Sequence, residues 1–305
     1  MAEKYDVLVV GDASLDVIYA NLPRLPVLHE DTLARGFDML PGEAYTAAAA
    51  MHRLGLKVAW AADWGNDLIS KIILDFIRAE GMDERFFVHH DRPYRRISSA
   101  ASVGPDRGFM TYYDPEPGIP AGMAALAKAD ARVVFIPGLL YGRMFDLAIP
   151  LIKMKKMMVM MDGNCSLESR LAEKSLQRAL KQTNILLPNA QEARSLTQRE
   201  DLQEAIRALG EFCPLVVVKN GPDGSYACRN GEIIHVPVKP VTPLDTTGAG
   251  DCYNAGFLKA YLDGKPVAEC LAWVNIIASY SVQGYGGTGY RVTAEMIEKD
   301  FTSSI

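Results

Sequence analysis

Short, unbroken apolar runs alternate along this chain with stretches of helical period. Asp6–Val10, Val58–Ala62, Val133–Ile136, Met157–Met161, Ile185–Leu187 and Leu215–Lys219 have strand length and lack polar alternation. That is the pattern of strands covered on both faces. Between them the spacing predicts helices over Ala44–Leu54, Leu68–Glu80, Arg143–Lys155, Leu171–Lys181 and Leu202–Leu209. Gly55 and Gly81 stop the first two, because glycine accepts the left-handed conformation that ends a helix. Strand–helix alternation of this kind predicts an α/β fold with a mostly parallel sheet and helices on both faces. Asn230-Gly231, between Tyr226–Cys228 and Ile233–Val236, predicts a type I′ hairpin that turns the sheet antiparallel near its end.

Two segments break this rhythm. Residues from about 14 to 39 contain Pro23 and Pro26 and show no helical period. Residues 96 to 113 hold two β-rich runs, Arg96–Val103 and Phe109–Tyr113, around Gly104-Pro105-Asp106-Arg107-Gly108, a second hairpin signal. They are expected to pair into a small separate sheet inserted in a single domain spanning 1–305, acting as a lid over an active site or as a dimer interface. The methionine-rich Lys153–Met161 reads as a helix end and a buried strand with methionine as core filler.

Composition narrows the partners. Apolar residues make up 49% and charged residues 23%, the balance of a globular protein. A net charge of −5 argues against nucleic acid, which needs a basic face. No apolar run reaches the length of a membrane span, and Met1–Asp6 does not read as a signal peptide. The five cysteines are dispersed, which predicts reduced thiols in a cytoplasmic protein rather than disulfides or a zinc site. His89-His90 is the one histidine cluster and reads as a solvated pair on a strand.

The chemistry concentrates in Asp245-Thr246-Thr247-Gly248-Ala249-Gly250-Asp251, followed by the apolar run Cys252–Leu258. The first turn of a helix leaves backbone N–H groups unpaired at the positive end of the macrodipole. Gly248, Ala249 and Gly250 have no bulk to keep an anion from those donors. Asp251 is then a carboxylate at the mouth of a buried helix, which is costly without a partner or a task. A tight turn with a dipole-favourable acid is the structural alternative, and it would hold for a bare G-x-G-D. The longer string favours an anion cradle beside a base. Gly284-Tyr285-Gly286-Gly287-Thr288-Gly289 is formally G-x-G-x-x-G, but it follows a helical pattern and opens no helix, so it reads as a loop and not as a dinucleotide site. No P-loop pattern is present.

The 245–251 string resembles the D-T-x-G-A-G-D signature of the ribokinase-like (PfkB) carbohydrate kinases. Val9–Asp16, Pro41–Gly55, Trp64–Asp67, Asn189–Glu192 and Lys219–Gly224 fall in the order of that family's other elements, so the likeness covers essentially the whole chain. It implies a ribokinase-like three-layer αβα sandwich with a small β lid, and a soluble kinase that is a homodimer through the lid. The implied reaction is transfer of the γ-phosphoryl of ATP to a hydroxyl of a small sugar, with Asp251 as base and the 248–250 backbone as anion hole. Asn189 and Glu192 match the element that organises Mg²⁺. Lys219, Gly221 and Gly224 match the nucleotide loop, and Asn275 a position lining the adenine pocket. Asp245 and Thr247, with carbonyls near Ser281 and Gly284, match a monovalent-cation site that takes K⁺ in many members. Read locally, Asn189 is equally a helix cap, Gly221 and Gly224 a plain turn, and Asn275 a hydrogen-bonded core residue.

The acceptor end departs most from the family. Asp12 and Asp16 are typed to accept hydrogen bonds from sugar hydroxyls, with capping of the turn as the other role for Asp12. Pro41-Gly42 stands where the family has two glycines, Thr46 where it has asparagine, and Glu43 where many members carry lysine or a small polar residue. Three acids around one pocket favour a neutral polyol, an inference that Arg96 and Arg107 would oppose if they folded inward. A nucleoside kinase is the nearest alternative. A non-catalytic sugar or nucleotide sensor and an oxidoreductase are more distant ones.

Overall fold

The computed structural model describes residues 4–302 except 104, 105, 117–119 and 167; the side chains of Asp106, Arg107 and Thr302 also lie outside the described set, and with them the sequence reading of Arg107 and of the Gly104-Pro105 turn. The strands, in chain order, are β1 (Lys4–Val10), β2 (Leu15–Ala20), β3 (Gly36–Pro41), β4 (Val58–Ala61), β5 (Asp63–Trp64), β6 (Val88–His89), β7 (Arg96–Val103), β8 (Asp106–Tyr113), β9 (Asp130–Ile136), β10 (Met158–Asp162), β11 (Ile185–Leu187), β12 (Leu215–Lys219), β13 (Ser225–Arg229) and β14 (Glu232–Val236). The helices are α1 (Ala44–Arg53), α2 (Leu68–Ala79), α3 (Ala121–Lys128), α4 (Arg143–Met154), α5 (Lys174–Leu180), α6 (Ala190–Thr197), α7 (Leu202–Gly210), α8 (Ala249–Leu262), α9 (Val267–Ser281) and α10 (Ala294–Thr302).

The central sheet runs β14-β13-β12-β11-β10-β9-β1-β4. Strands β4 to β12 of it are parallel; β13 and β14 are antiparallel. Burial on both faces explains the unbroken apolar runs. Val7 and Val9 of β1 enter one core and Leu8 between them enters the other, all fully buried. The first core is closed by α1, α2, α8, α9 and α10, the second by α3 to α7. The expected hairpin is present, with Asn230 and Gly231 both at positive φ as a type I′ turn requires. Helix α8 is buried through Cys252–Leu258, in keeping with its all-round apolar sequence.

The two irregular segments form a second sheet of order β3-β2-β7-β8. Its period-2 alternation points Asp16, Arg96, Ser98, Thr111 and Tyr113 at a cleft, while Tyr19, Phe37, Met110 and Tyr112 are exposed on its other face. No helix among the described residues is long and apolar enough to cross a membrane. His90 corrects the sequence reading. The short β5–β6 pairing brings its Nε2 within 2.7 Å of the buried Asp63 Oδ1, so it is no solvated histidine.

Candidate active site

A cleft of about 1230 Å³ opens at the C-terminal ends of the parallel strands, roofed by the small sheet. Gly11 and Asp12 follow β1, Asp162 ends β10, Asn189 follows β11 and Lys219 ends β12, while Gly248, Gly250 and Asp251 enter from the start of α8. Ligands of open α/β sheets bind at this edge because connecting loops and helix N-termini converge there.

Gly248 is the N-cap of α8 with φ 70, and a Cβ on it would stand 2.2 Å from Gly287 Cα. Both facts demand glycine. Thr46 is buried beneath this contact, its Cγ2 packed where side chains on Gly248 and Gly287 would stand, and it is not among the residues lining the cleft. Asp245 Oδ1 accepts from Thr247 N (2.9 Å) and Thr247 Oγ1 (2.8 Å), and its Oδ2 accepts from Gly286 N at 2.8 Å. Asp245 therefore ties the cradle to the 284–289 loop. Ser281 is buried, donating from Oγ to Ala278 O, and Gly284 packs against the Tyr290 backbone.

Asp251 lies on the first turn of α8 and accepts no hydrogen bond from any described residue. Burial raises its pKa to about 8. The nearby Asp162 charge adds to the rise, Lys219 opposes it, and Glu43 and Asp16 reinforce it. Below it, Lys219 Nζ lies 3.0 Å from Asp162 Oδ2 and donates to Asn254 Oδ1 at 3.3 Å, while the Asn254 amide donates to Asp162. A Cβ on Gly250 would be 3.5 Å from Lys219 Nζ, so this cation sits beside the cradle. Asp162 and Asn254 were missed in the sequence. The available signal was a carboxylate as the last residue of a buried parallel strand, at the edge where such sheets bind ligands.

Asn189 takes the capping role that its local sequence allowed, with Glu192 as its partner. It is the N-cap of α6, and the two form a capping box: Asn189 Oδ1 accepts from Glu192 N and Glu192 Oε2 from Asn189 N, both at 2.8 Å. Burial and the Asp162 charge raise the Glu192 pKa. No group of three or more His, Cys, Asp or Glu among the described residues is arranged to hold a metal alone. Two carboxylates lining a deep cleft instead suit Mg²⁺, which prefers to keep waters and phosphates and take one or two protein oxygens. Gly221 lines the cleft. Gly224 does not; its carbonyl closes the turn by accepting from Asn220 N at 2.9 Å. Asn275 is also away from the cleft. Its Oδ1 accepts from Ser225 Oγ (2.8 Å) and its Nδ2 donates to Val236 O (3.0 Å), so the amide is spent joining α9 to β13 and β14.

At the acceptor end, Asp12 Oδ1 accepts from Asp63 N (2.9 Å) and Oδ2 from Tyr94 OH (2.6 Å), so both its oxygens hold the structure while lining the cleft. Asp16 accepts from Ser14 Oγ at 2.9 Å, and burial raises its pKa to about 6. A Cβ on Gly42 would stand 2.2 Å from Asp16 Oδ2, so any side chain at 42 would displace that carboxylate. Arg96 folds inward and its Nη2 lies 3.2 Å from Glu43 Oε2. Beyond Pro137 the cleft continues as an apolar arm between α3 and α4, lined by Met123, Leu126, Ile136, Leu140 and Met144.

Residues 4–293 match the pfkB family carbohydrate kinases. A stretch of 113 residues, 36% of this chain and 44% of the other, is 39% identical to an uncharacterized sugar kinase of Archaeoglobus fulgidus. A nucleoside kinase of Methanothermobacter thermautotrophicus is 28% identical over 94% of this chain and 92% of its own length. The structure of an Arabidopsis thaliana ribokinase complexed with ribose and ATP shares the fold, with a TM-score of 0.78, 22% identity and coverage of 98% of this chain and 99% of that one.

Proposed function

Because the chain belongs to the pfkB family of carbohydrate kinases, we propose that it transfers the γ-phosphoryl of ATP to a hydroxyl of a small sugar, with Asp251 as the base. The observation that carries this is the Asp251 carboxylate itself: raised in pKa, unbonded among the described residues, and within one turn of the Gly248 and Gly250 backbone N–H groups, the Ala249 N–H donating instead to Thr246 O at 3.3 Å. Its raised pKa makes it basic enough to take the acceptor proton as attack on phosphorus proceeds. The cradle N–H groups and Lys219 face the charge that grows on the transferred group. Glu192 and Asp162 are the side chains that would hold Mg²⁺ arriving with the nucleotide, and the metal would neutralise phosphate charge. The small sheet acts as the lid, keeping water from the transfer. A monovalent cation such as K⁺ held by Asp245 and carbonyls around Thr247, Ser281 and Gly284 belongs to the same reading, since the set offers hard oxygen donors. The apolar face of Tyr19, Phe37, Met110 and Tyr112 supports a homodimer through the lid, which sedimentation would register as twice 33.4 kDa.

The apolar arm between α3 and α4 favours a second reading, a nucleoside acceptor whose base occupies it. An ADP-release screen over free sugars, sugar phosphates and nucleosides, with and without K⁺, separates the two. Acceptor-dependent release with a free sugar is the expected result. Release with nucleosides alone replaces the sugar by the second reading, and nucleotide binding without release for any acceptor makes the protein a sensor.

A further inference from the structure

Glu43 holds a backbone conformation that a residue with a side chain rarely adopts, φ 54 and ψ −129, at the N-cap of α1. Such a geometry is strained for any residue with a Cβ and persists only where surrounding contacts over-determine it. Those contacts are visible. The Glu43 Oε1 accepts from Tyr113 OH, and its Oε2 faces Arg96 Nη2 at 3.2 Å and Nε at 3.4 Å. The Arg96 guanidinium carbon lies 3.9 Å from the centre of the Tyr113 ring, a close cation–π contact. The Arg96 side chain is only 13% exposed. The two partners come from β7 and β8 of the small sheet, so this cluster joins the roof of the cleft to its floor. All three side chains line the cleft, next to Asp12 and Asp16.

Resting on the sugar-kinase reading, we propose that the Glu43–Arg96–Tyr113 cluster determines acceptor specificity: Glu43 neutralises the guanidinium at the acceptor end, so the site takes an uncharged polyol and rejects carboxylated or phosphorylated ones. A free guanidinium there would be a bidentate fork for a carboxylate or phosphate. With Glu43 in place that fork is occupied, and Asp12, Asp16 and Glu43 together outweigh its charge. An anion entering would lose its water and meet repulsion, which is how a site discriminates against a competitor of similar shape.

The test measures affinity by calorimetry for D-ribose and D-gluconate in the wild type, Glu43→Gln, Glu43→Gly and Glu43→Gln/Arg96→Met. The readout is binding, so it stands even if no acceptor is phosphorylated; failure of the kinase reading shows separately as absent ADP release. Glu43→Gln is expected to raise the gluconate-to-ribose affinity ratio at least tenfold, and the added Arg96→Met to abolish that gain. Glu43→Gly is expected to give the same ratio as Glu43→Gln while melting at a higher temperature, because glycine relieves the strained φ and leaves the charge effect alone. An unchanged or lower ratio in Glu43→Gln, no gluconate binding in that variant, a gain that survives Arg96→Met, or a wild type that already prefers gluconate overturns the proposal.

Discussion

Asp251→Asn is expected to bind ATP as the wild type does, to turn over at least about 10³-fold more slowly, and to be the more stable protein. The asparagine keeps the shape of the first turn of α8 and leaves the Gly248 and Gly250 donors in place, so nucleotide binding, read by calorimetry, should hold. It cannot take a proton, so the acceptor hydroxyl must attack without help. The stability gain follows from the raised pKa. A carboxyl of ordinary pKa ionises in the unfolded chain from about pH 4, whereas Asp251 in the folded chain holds its proton to about pH 8. The folded state binds more protons across that window, so its stability falls as pH rises from about 4 and levels off above about 8. Removing the group removes a penalty of about 2–4 kcal/mol at pH 8, after allowing for its partial exposure to the cleft. Thermal melts of the pair at pH 5 and pH 8 should show the gap widening at the higher pH. Equal melting temperatures at both would mean that Asp251 ionises normally.

Lys219→Met is expected to damage both the fold and the chemistry. The Lys219 and Asp162 side chains are 13% and 9% exposed and lie 3.0 Å apart, and removing one partner of such a pair leaves a buried charge uncompensated, at about 3–5 kcal/mol. Turnover should fall by about 10²–10³ as the cation beside the anion cradle is lost. The charge that opposes the rise in the Asp251 pKa is lost as well, so the acid-side limb of the rate profile, where activity rises with pH, should move to still higher pH. The double variant Asp162→Asn/Lys219→Met separates these effects. Replacing both charges should restore most of the stability, since no unpaired charge remains, without restoring turnover. A double variant as unstable as Lys219→Met would show that the stabilisation does not come from the pair.

Features that depend on neighbours in sequence were legible before the structure, and those that depend on distant pairing were not. Strand β1 announces itself because Val7, Leu8 and Val9 must satisfy two cores at once, and α8 because its apolar positions occupy every side. The Gly248–Asp251 turn is legible for the same reason: its donors and its carboxylate lie within one helical turn. The Lys219–Asp162–Asn254 cluster joins positions 57 and 92 residues apart, and no local pattern signals it. Asn275 and Asn189 show the opposite failure. Each could be placed on the correct element, but an amide reads alike whether it faces a ligand, caps a helix or bonds Ser225 across 50 residues. The Glu43 conformation is invisible in sequence, because a glutamate before an alanine-rich helix suggests an ordinary helix start. Its strain emerges only once the small sheet brings Arg96 and Tyr113 onto it.

The most direct test of the account is the pH dependence of kcat/KM for acceptor-dependent ADP release, measured side by side for the wild type and Asp251→Asn. The wild-type value should rise tenfold per pH unit on the acid side and level off near pH 8, as the Asp251 carboxylate forms, while Asp251→Asn stays low throughout. A wild-type profile flat between pH 6 and pH 9, or release by Asp251→Asn at the wild-type rate, would contradict the assignment of Asp251 as the base.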